Sequence, residues 1–358
     1  MKFNGQAMKV ITLVGALTLG LAGCGSSESK PKEEAKKDDS ELVVYSNSLN
    51  DGRDTWLKEQ AEKKGFKLKF VAAPGGEVYN RLLAEKNAPQ ADVTYGMDEG
   101  YFNKLKAQDL LEKYEPAWGK DVPKDYQKGE GYFSPLVEQR IYLMYNPKFV
   151  KAEDAPKSWD ELINNEKYAK KYRLSKAISG GTDQKAAMSI LFNYRDDKSE
   201  NGISEAGWKQ LHKFYEHGYM PSKGEDYVQL FAEGKVPIMY FFSSAVPKSE
   251  KKFNFKSEPI NPEQGVFSVS EQIGLVKKGK DHDYKKAKAF IDWFGSAEVQ
   301  KEWAKKFGTW PVLPKAQEGA DDRLREIMSK TTPMKVDWKF VNDHIDSWVE
   351  KIELEILS

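Results

Sequence analysis

The sequence predicts an α/β fold. Three observations carry that expectation. Short apolar runs at 41–45, 67–71 and 91–95 alternate with turn residues and helix-period segments, as in a parallel α/β sheet. Two β-rich stretches, 135–146 and 267–276, interrupt that alternation. After Asp283 the pattern is almost wholly helical, with Ala287, Phe290, Ile291, Trp293 and Phe294 forming an apolar stripe.

The elements follow in order. The run ELVVY at 41–45 reads as a buried strand, broken by SNSLNDG at 46–52. A helix follows through Trp56, Leu57 and Ala61 and ends at Gly65. A second strand, 67–71, leads into Pro74-Gly75-Gly76, and a helix from Glu77 carries Val78, Leu82 and Leu83 on one face. A third strand, 91–95, meets Met97-Asp98-Glu99. PLVEQRIYLMYN at 135–146 leaves a first domain and enters a second. Ser158 is placed to cap a helix through Trp159 and Leu162. Ser179-Gly180-Gly181-Thr182-Asp183 precedes a helix through Ala187, Ile190 and Leu191. Trp208, Leu211, Phe214 and Tyr215 line one face of the next helix and read as core. Gly234-Lys235 turns into a strand at 236–242, and 267–276 is the second crossing. Ser296 starts a further helix, 308–314 is a rigid aromatic loop, and the tail from Asp337 is amphipathic helix. The expected division is 41–140 as the first domain, 141–270 as the second, and 271–358 returning to the first with C-terminal helices.

The N-terminus carries a different signal. Lys2 and Lys9 supply a short positive region ahead of an apolar stretch, 10–21, that is shorter than the roughly 20 residues a bilayer span needs. It has the length of a signal-peptide core. Leu21-Ala22-Gly23-Cys24 closes it and resembles the bacterial lipobox, in which the cysteine receives a lipid. Residues 1–23 are then a signal peptide, Cys24 the lipidation site, and 24–40 a polar tether unable to bury enough surface to order itself. The competing view is an ordinary signal peptide with an incidental cysteine. With Cys24 as the only cysteine, no disulfide framework is available. The expected location is the outer face of the cytoplasmic membrane.

Charge and motifs exclude several classes. Lys+Arg 56 against Asp+Glu 55 leaves a net charge of +1, without the basic excess of a nucleic-acid binder. No G-x-S-x-G elbow, P-loop or H-E-x-x-H motif occurs; of His212, His217, His282 and His344 only His212 and His217 come near metal-ligand spacing, and, five apart, they point to different helix faces. The expectation is a chain that is not an enzyme and has no cofactor or catalytic metal.

An ordered set of segments then carries a resemblance: LVVYSNS, ADVTYGMDE, PLVEQRIYLMYNPKFV, PKSWDELIN, FAEGKVPIMYF, KKAKAFIDWFGSAEVQ and GTWPVLP. Across 42–313 the chain resembles the bacterial extracellular solute-binding proteins of ABC importers, family 1. The nearest branch contains ferric-ion, thiamine, phosphonate and sugar-phosphate receptors. The resemblance implies a two-domain type II periplasmic-binding fold with a ligand cleft between domains, and hinges at 137–146 and 271–276. It also implies a monomer that hands a small molecule to an ABC permease and its ATPase.

Ligands of open α/β sheets bind beyond the carboxyl ends of the strands. The candidates there are Ser46, Asn47, Ser48, Gly75, Gly76, Tyr95, Asp98, Ser179, Gly180, Gly181, Thr182, Tyr240 and Ser243. Three of these groups lead into helices, whose free N–H groups favour anions. A phosphate- or phosphonate-bearing solute is the expected ligand. Ferric iron would need oxygen ligands, but the Tyr-Tyr pair used in this branch falls on Phe241-Phe242, leaving Tyr240 alone. A polyamine could use Glu271, Asp98 and Trp310; thiamine is a further alternative. From another class, a surface adhesin or a signalling receptor also fits such a chain.

Overall fold

The computed structural model describes residues 40–176, 178 and 181–358. A single mixed sheet organises them. Strands β1 (Glu41–Ser46), β2 (Lys67–Ala72), β3 (Val93–Tyr95), β4 (Leu111–Glu112), β5 (Phe133–Tyr145), β6 (Ile238–Phe242), β7 (Glu258–Pro259), β8 (Phe267–Val276) and β9 (Trp310–Pro311) build it. The main order is β2-β1-β3-β8-β5-β6; β4 pairs with β8, while β7 and β9 pair with β5. β1 runs parallel to both β2 and β3. β8 is antiparallel to β3 on one side and to β5 on the other.

The two long strands set the shape. β5 spans 13 residues and is buried along almost its whole length. Its first half sends Leu136 and Val137 into a core with Val44, Val93, Phe290 and Trp303. Its second half sends Ile141 and Leu143 into another core with Trp159, Leu211, Phe214 and Tyr240. β8 does the same with Ile273 and Leu275 at one end and Phe267 at the other. Fully burying such side chains stabilises by about 1.5–3 kcal/mol each, so both strands are anchored at both ends. The molecule is therefore two lobes sharing one sheet.

Helices cover the sheet. They are α1 (Arg53–Lys63), α2 (Gly75–Ala84), α3 (Glu99–Ala107), α4 (Trp159–Asn164), α5 (Gly181–Leu191), α6 (Glu205–His217), α7 (Tyr227–Ala232), α8 (Val246–Phe253), α9 (Lys285–Phe294), α10 (Ala297–Phe307), α11 (Asp322–Ser329) and α12 (Trp338–Lys351). Ser158 caps α4 through the Glu161 N–H at 3.1 Å, and Ser296 caps α10. α9 buries Ala287, Phe290, Ile291 and Phe294, the stripe evident in the sequence.

Two features differ from expectation. α2 begins at Gly75, two residues before Glu77, because Pro74 leads directly into the helix. The chain after β8 also does not stay with the first lobe. α12 buries Phe340, Val341 and Trp348 in the second lobe's core, and α11 adds Leu324 and Ile327 to a cluster with Tyr142 and Phe231. Among the described residues no helix is long and apolar enough to cross a membrane. Cys24, Ser179 and Gly180 lie outside the described residues.

Candidate functional site

Where the two lobes face each other along β5 and β8, a cleft of about 460 Å³ opens. That volume is in the range of small-molecule sites. From the first lobe it is lined by Asn47 and Ser48 after β1, by Gly75 and Gly76 at the start of α2, by Gly96 and Asp98 after β3, and by Arg53. From the second lobe come Gly181, Thr182 and Lys185 of α5, Phe242 of β6 and Ser244; Gln139 and Glu271 project from the crossing strands.

The floor is one hydrogen-bonded chain. Arg53 Nη1 donates to Ser48 Oγ at 2.7 Å, and Ser48 Oγ donates to Glu271 Oε2 at 3.0 Å. Gln139 Nε2 donates to Glu271 Oε1 at 3.1 Å and approaches Ser244 Oγ at 3.2 Å. Gly96 makes the fit possible. Its φ is +99°, and a Cβ there would come within 2.7 Å of both Asn47 Oδ1 and Ser48 Cβ.

The charges on the walls are not equivalent. Lys185 Nζ lies 2.7 Å from Asp98 Oδ2, an ion pair that ties α5 of the second lobe to the first. Asp98 also caps α3 by accepting from the Tyr101 N–H at 3.3 Å. Lys248 meets Asp51 at 3.3 Å. Arg53 differs: it is the one arginine without a carboxylate within ion-pair distance among the described residues. Its guanidinium lies 5.7 Å from the ring centroids of both Trp303 and Phe307, and its Nε is buried with no partner. A partly buried cation left unpaired is costly unless something anionic completes it. The start of α2 adds to this, because no side chain caps it and its first N–H groups open on the cleft.

Of the residues singled out from sequence, Asn47, Ser48, Gly75, Gly76, Asp98, Gly181, Thr182 and Glu271 line this one cleft. Five others do not. Ser46 is fully buried, and its Oγ accepts the Ser48 N–H at 2.9 Å. Tyr95 is buried beneath the same loop, its hydroxyl donating to the Ser48 carbonyl at 3.4 Å. Both position Ser48 rather than face the cleft. Tyr240 is packed against Trp159 and Phe214, and its hydroxyl donates to Asp183 Oδ1 at 2.7 Å. Burial drives its pKa well above the ordinary value, which opposes the phenolate that ferric iron would require. Ser243 is buried, donating to Gln139 Oε1 at 2.9 Å. Trp310 packs with the second lobe's Tyr142 cluster, under the Arg325 guanidinium.

Sequence reasoning missed Arg53, Tyr101, Gln139 and Lys185, while Phe242 and Ser244 fall within the 240–244 strand end that it placed at the cleft. Arg53 follows Gly52, whose φ of +79° turns the chain from the β1 loop into α1, so a residue five past Ser48 returns to it. Asn-Asp-Gly before a charged helix start is the signal that was available. Tyr101 sits at the same wall, with burial pushing its phenol up to about 12, so it presents a neutral hydroxyl.

Comparison with known proteins agrees with this architecture. Residues 55–327 match the model of the family described as bacterial extracellular solute-binding protein. The chain is 34% identical over 315 residues to the "Probable ABC transporter periplasmic-binding protein y4fP" of Sinorhizobium fredii, covering 88% of this chain and 86% of that one. It is 28% identical over 281 residues to a Salmonella typhimurium periplasmic protein named for 2-aminoethylphosphonate binding, covering 73% and 76% of the two chains. Among solved structures, iron-bound HitA from Pseudomonas aeruginosa superimposes with a TM-score of 0.71 at 18% identity, over 87% of this chain and 99% of that one, a likeness of fold. The chain belongs to the bacterial extracellular solute-binding proteins and is, with the periplasmic-binding-protein fold, the substrate-binding protein of an ABC transporter and not an enzyme.

Proposed function

We propose that this protein captures a small anionic solute, bearing a phosphate or phosphonate group, in the cleft between its lobes and delivers it to a membrane permease. The unpaired Arg53 carries the reading. It is a fixed cation, hydrogen-bonded to Ser48, on the wall that also holds the uncapped start of α2. Opposite it, α5 begins at Gly181 and Thr182, which supply backbone donors and a hydroxyl. Anion between the two helix starts would tie one lobe to the other and draw them together by bending at β5 and β8. The relative named for 2-aminoethylphosphonate supports this chemistry, and the carboxylates of Asp51, Asp98 and Glu271 leave room for a solute that also carries an amine.

Ferric iron is the weaker alternative, since the phenol nearest the branch's tyrosine pair is turned into the core and bonded to Asp183. Thiamine and polyamines would meet Arg53 as a like charge. An adhesin or signalling role has no feature of the cleft in its favour.

The proposal extends to the N-terminus: Cys24 carries a lipid, residues 24–40 tether a monomeric body, and 41–140 with part of 271–358 form one closing domain against 141–270. The test is a thermal-shift and calorimetry panel on the full-length protein with inorganic phosphate, 2-aminoethylphosphonate, glycerol phosphate, thiamine, spermidine and ferric citrate. A ligand at a hundred times its Kd should stabilise by about 2.7 kcal/mol. It should also lower the radius of gyration in small-angle scattering. Response to ferric citrate alone would refute the anion assignment.

A further inference from the structure

The anion site accounts for the first lobe's wall of the cleft and for the start of α5, but not for the sheet face that the second lobe presents beside it. There the neighbouring strands β6, β5 and β8 present Phe242, Ile141 and Val269, an apolar strip facing the polar loops across the gap. Ile141 is itself buried, and Phe242 stands directly beside it in the strand register.

Phe242 is an unusual residue in this molecule. Its neighbour Phe241 is buried and packs edge-on to Phe231 at 5.5 Å. Phe242 is 40% exposed and makes no ring–ring contact among the described residues. It does not lie on an outer face, where a single exposed apolar residue would be ordinary. It lines the cleft and also a second basin of about 840 Å³ that shares Asp51, Arg53 and Ser244 with it. The cleft therefore does not end at the anion site. It runs past the half-exposed Phe242 and opens into further space.

We infer that Phe242 is a stacking platform, and that the solute is an anion attached to a planar aromatic or heteroaromatic ring, with the anionic group at Arg53 and the ring over Phe242. The inference rests on the anion assignment proposed above and deepens it to a substrate class. Two features favour a ring over an alkyl chain. An aromatic face prefers an offset-stacked or edge-on aromatic partner, and gains beyond the area it buries. The basin past Phe242 leaves room for ring substituents, so a flat ring can lie along the strip without meeting a back wall.

The test uses three probes with the same anionic head on the full-length protein: methylphosphonate, phenylphosphonate and cyclohexylphosphonate. The last two match in size and differ in having a flat π-face. Phenylphosphonate should bind about threefold to tenfold more tightly than cyclohexylphosphonate. Phe242→Leu should bring that ratio to about one, and Phe242→Trp should keep it. Equal affinity of the two ring phosphonates for the unaltered protein, with methylphosphonate still bound, overturns the platform and leaves the anion assignment standing. A ratio that survives Phe242→Leu overturns it as well. Binding of none of the three at millimolar concentration overturns both.

Discussion

Replacing Arg53 by glutamine separates the site from the scaffold. Arg53→Gln removes one charge and keeps a side chain able to donate to Ser48. The guanidinium makes one hydrogen bond and two ring contacts, and its Nε is buried without a partner. Losing the two cation–π contacts, at about 0.5–1 kcal/mol each, costs about 1–2 kcal/mol. Relieving a desolvated, unbonded N–H offsets a similar amount, at about 1–3 kcal/mol for a buried unsatisfied group. The ligand-free protein should therefore change in stability by no more than about 1 kcal/mol. Binding should respond very differently. A hydrogen bond to a charged group contributes about 1.5–3 kcal/mol, a factor of about 10 to 150 in Kd. Calorimetry with 2-aminoethylphosphonate and inorganic phosphate reads the affinity, and thermal melts without ligand read the scaffold. The salt dependence of Kd should also weaken in the variant, because one charge has left the site. An unchanged Kd would refute the role of Arg53. So would a ligand-free melting temperature that falls in step with affinity, since the arginine would then be structural.

Thr182→Val keeps the shape of the α5 start and removes its oxygen, so a phosphonate should bind about tenfold more weakly while backbone donors preserve residual binding; unaltered calorimetry would exclude that hydroxyl. Burial lifts the Glu99 carboxyl from 4.5 to about 7, so the native state holds a proton that the unfolded chain has released. Stability from this group is present below about pH 4.5 and is lost as pH rises through 7; Glu99→Gln should be more stable than the unaltered protein at pH 8–9 by on the order of 2–3 kcal/mol, and parallel pH profiles of Tm would contradict the burial argument. Cys24→Ser should abolish metabolic labelling with palmitate and release the protein from the membrane fraction, whereas unchanged detergent partitioning would dismiss the lipobox.

The order of elements and the loops that matter were legible in the amino-acid pattern. Period-two and period-3.6 patterns depend on local backbone geometry, so β1, α6 and the stripe of α9 were legible from spacing alone. Turn residues at strand ends marked Asn47, Ser48, Gly75, Gly76 and Thr182, since a parallel sheet must put its strand-to-helix turns at one edge. Which neighbours of those residues face inward depends on long-range packing. Ser46 and Ser48 are two apart, yet one is sealed under the loop and the other bridges Arg53 to Glu271, more than 200 residues away. Tyr240 looked like a ligand because it is polar at the end of a strand, but its partner Asp183 comes from a different element. Arg53 stands apart only because the other six arginines are paired with carboxylates, a matter of tertiary contacts. The C-terminal helix joined the second lobe because its Phe340, Val341 and Trp348 find their core there. Pairing, burial and lobe membership are set by contacts between residues distant in the chain, and local sequence pattern carries no record of them.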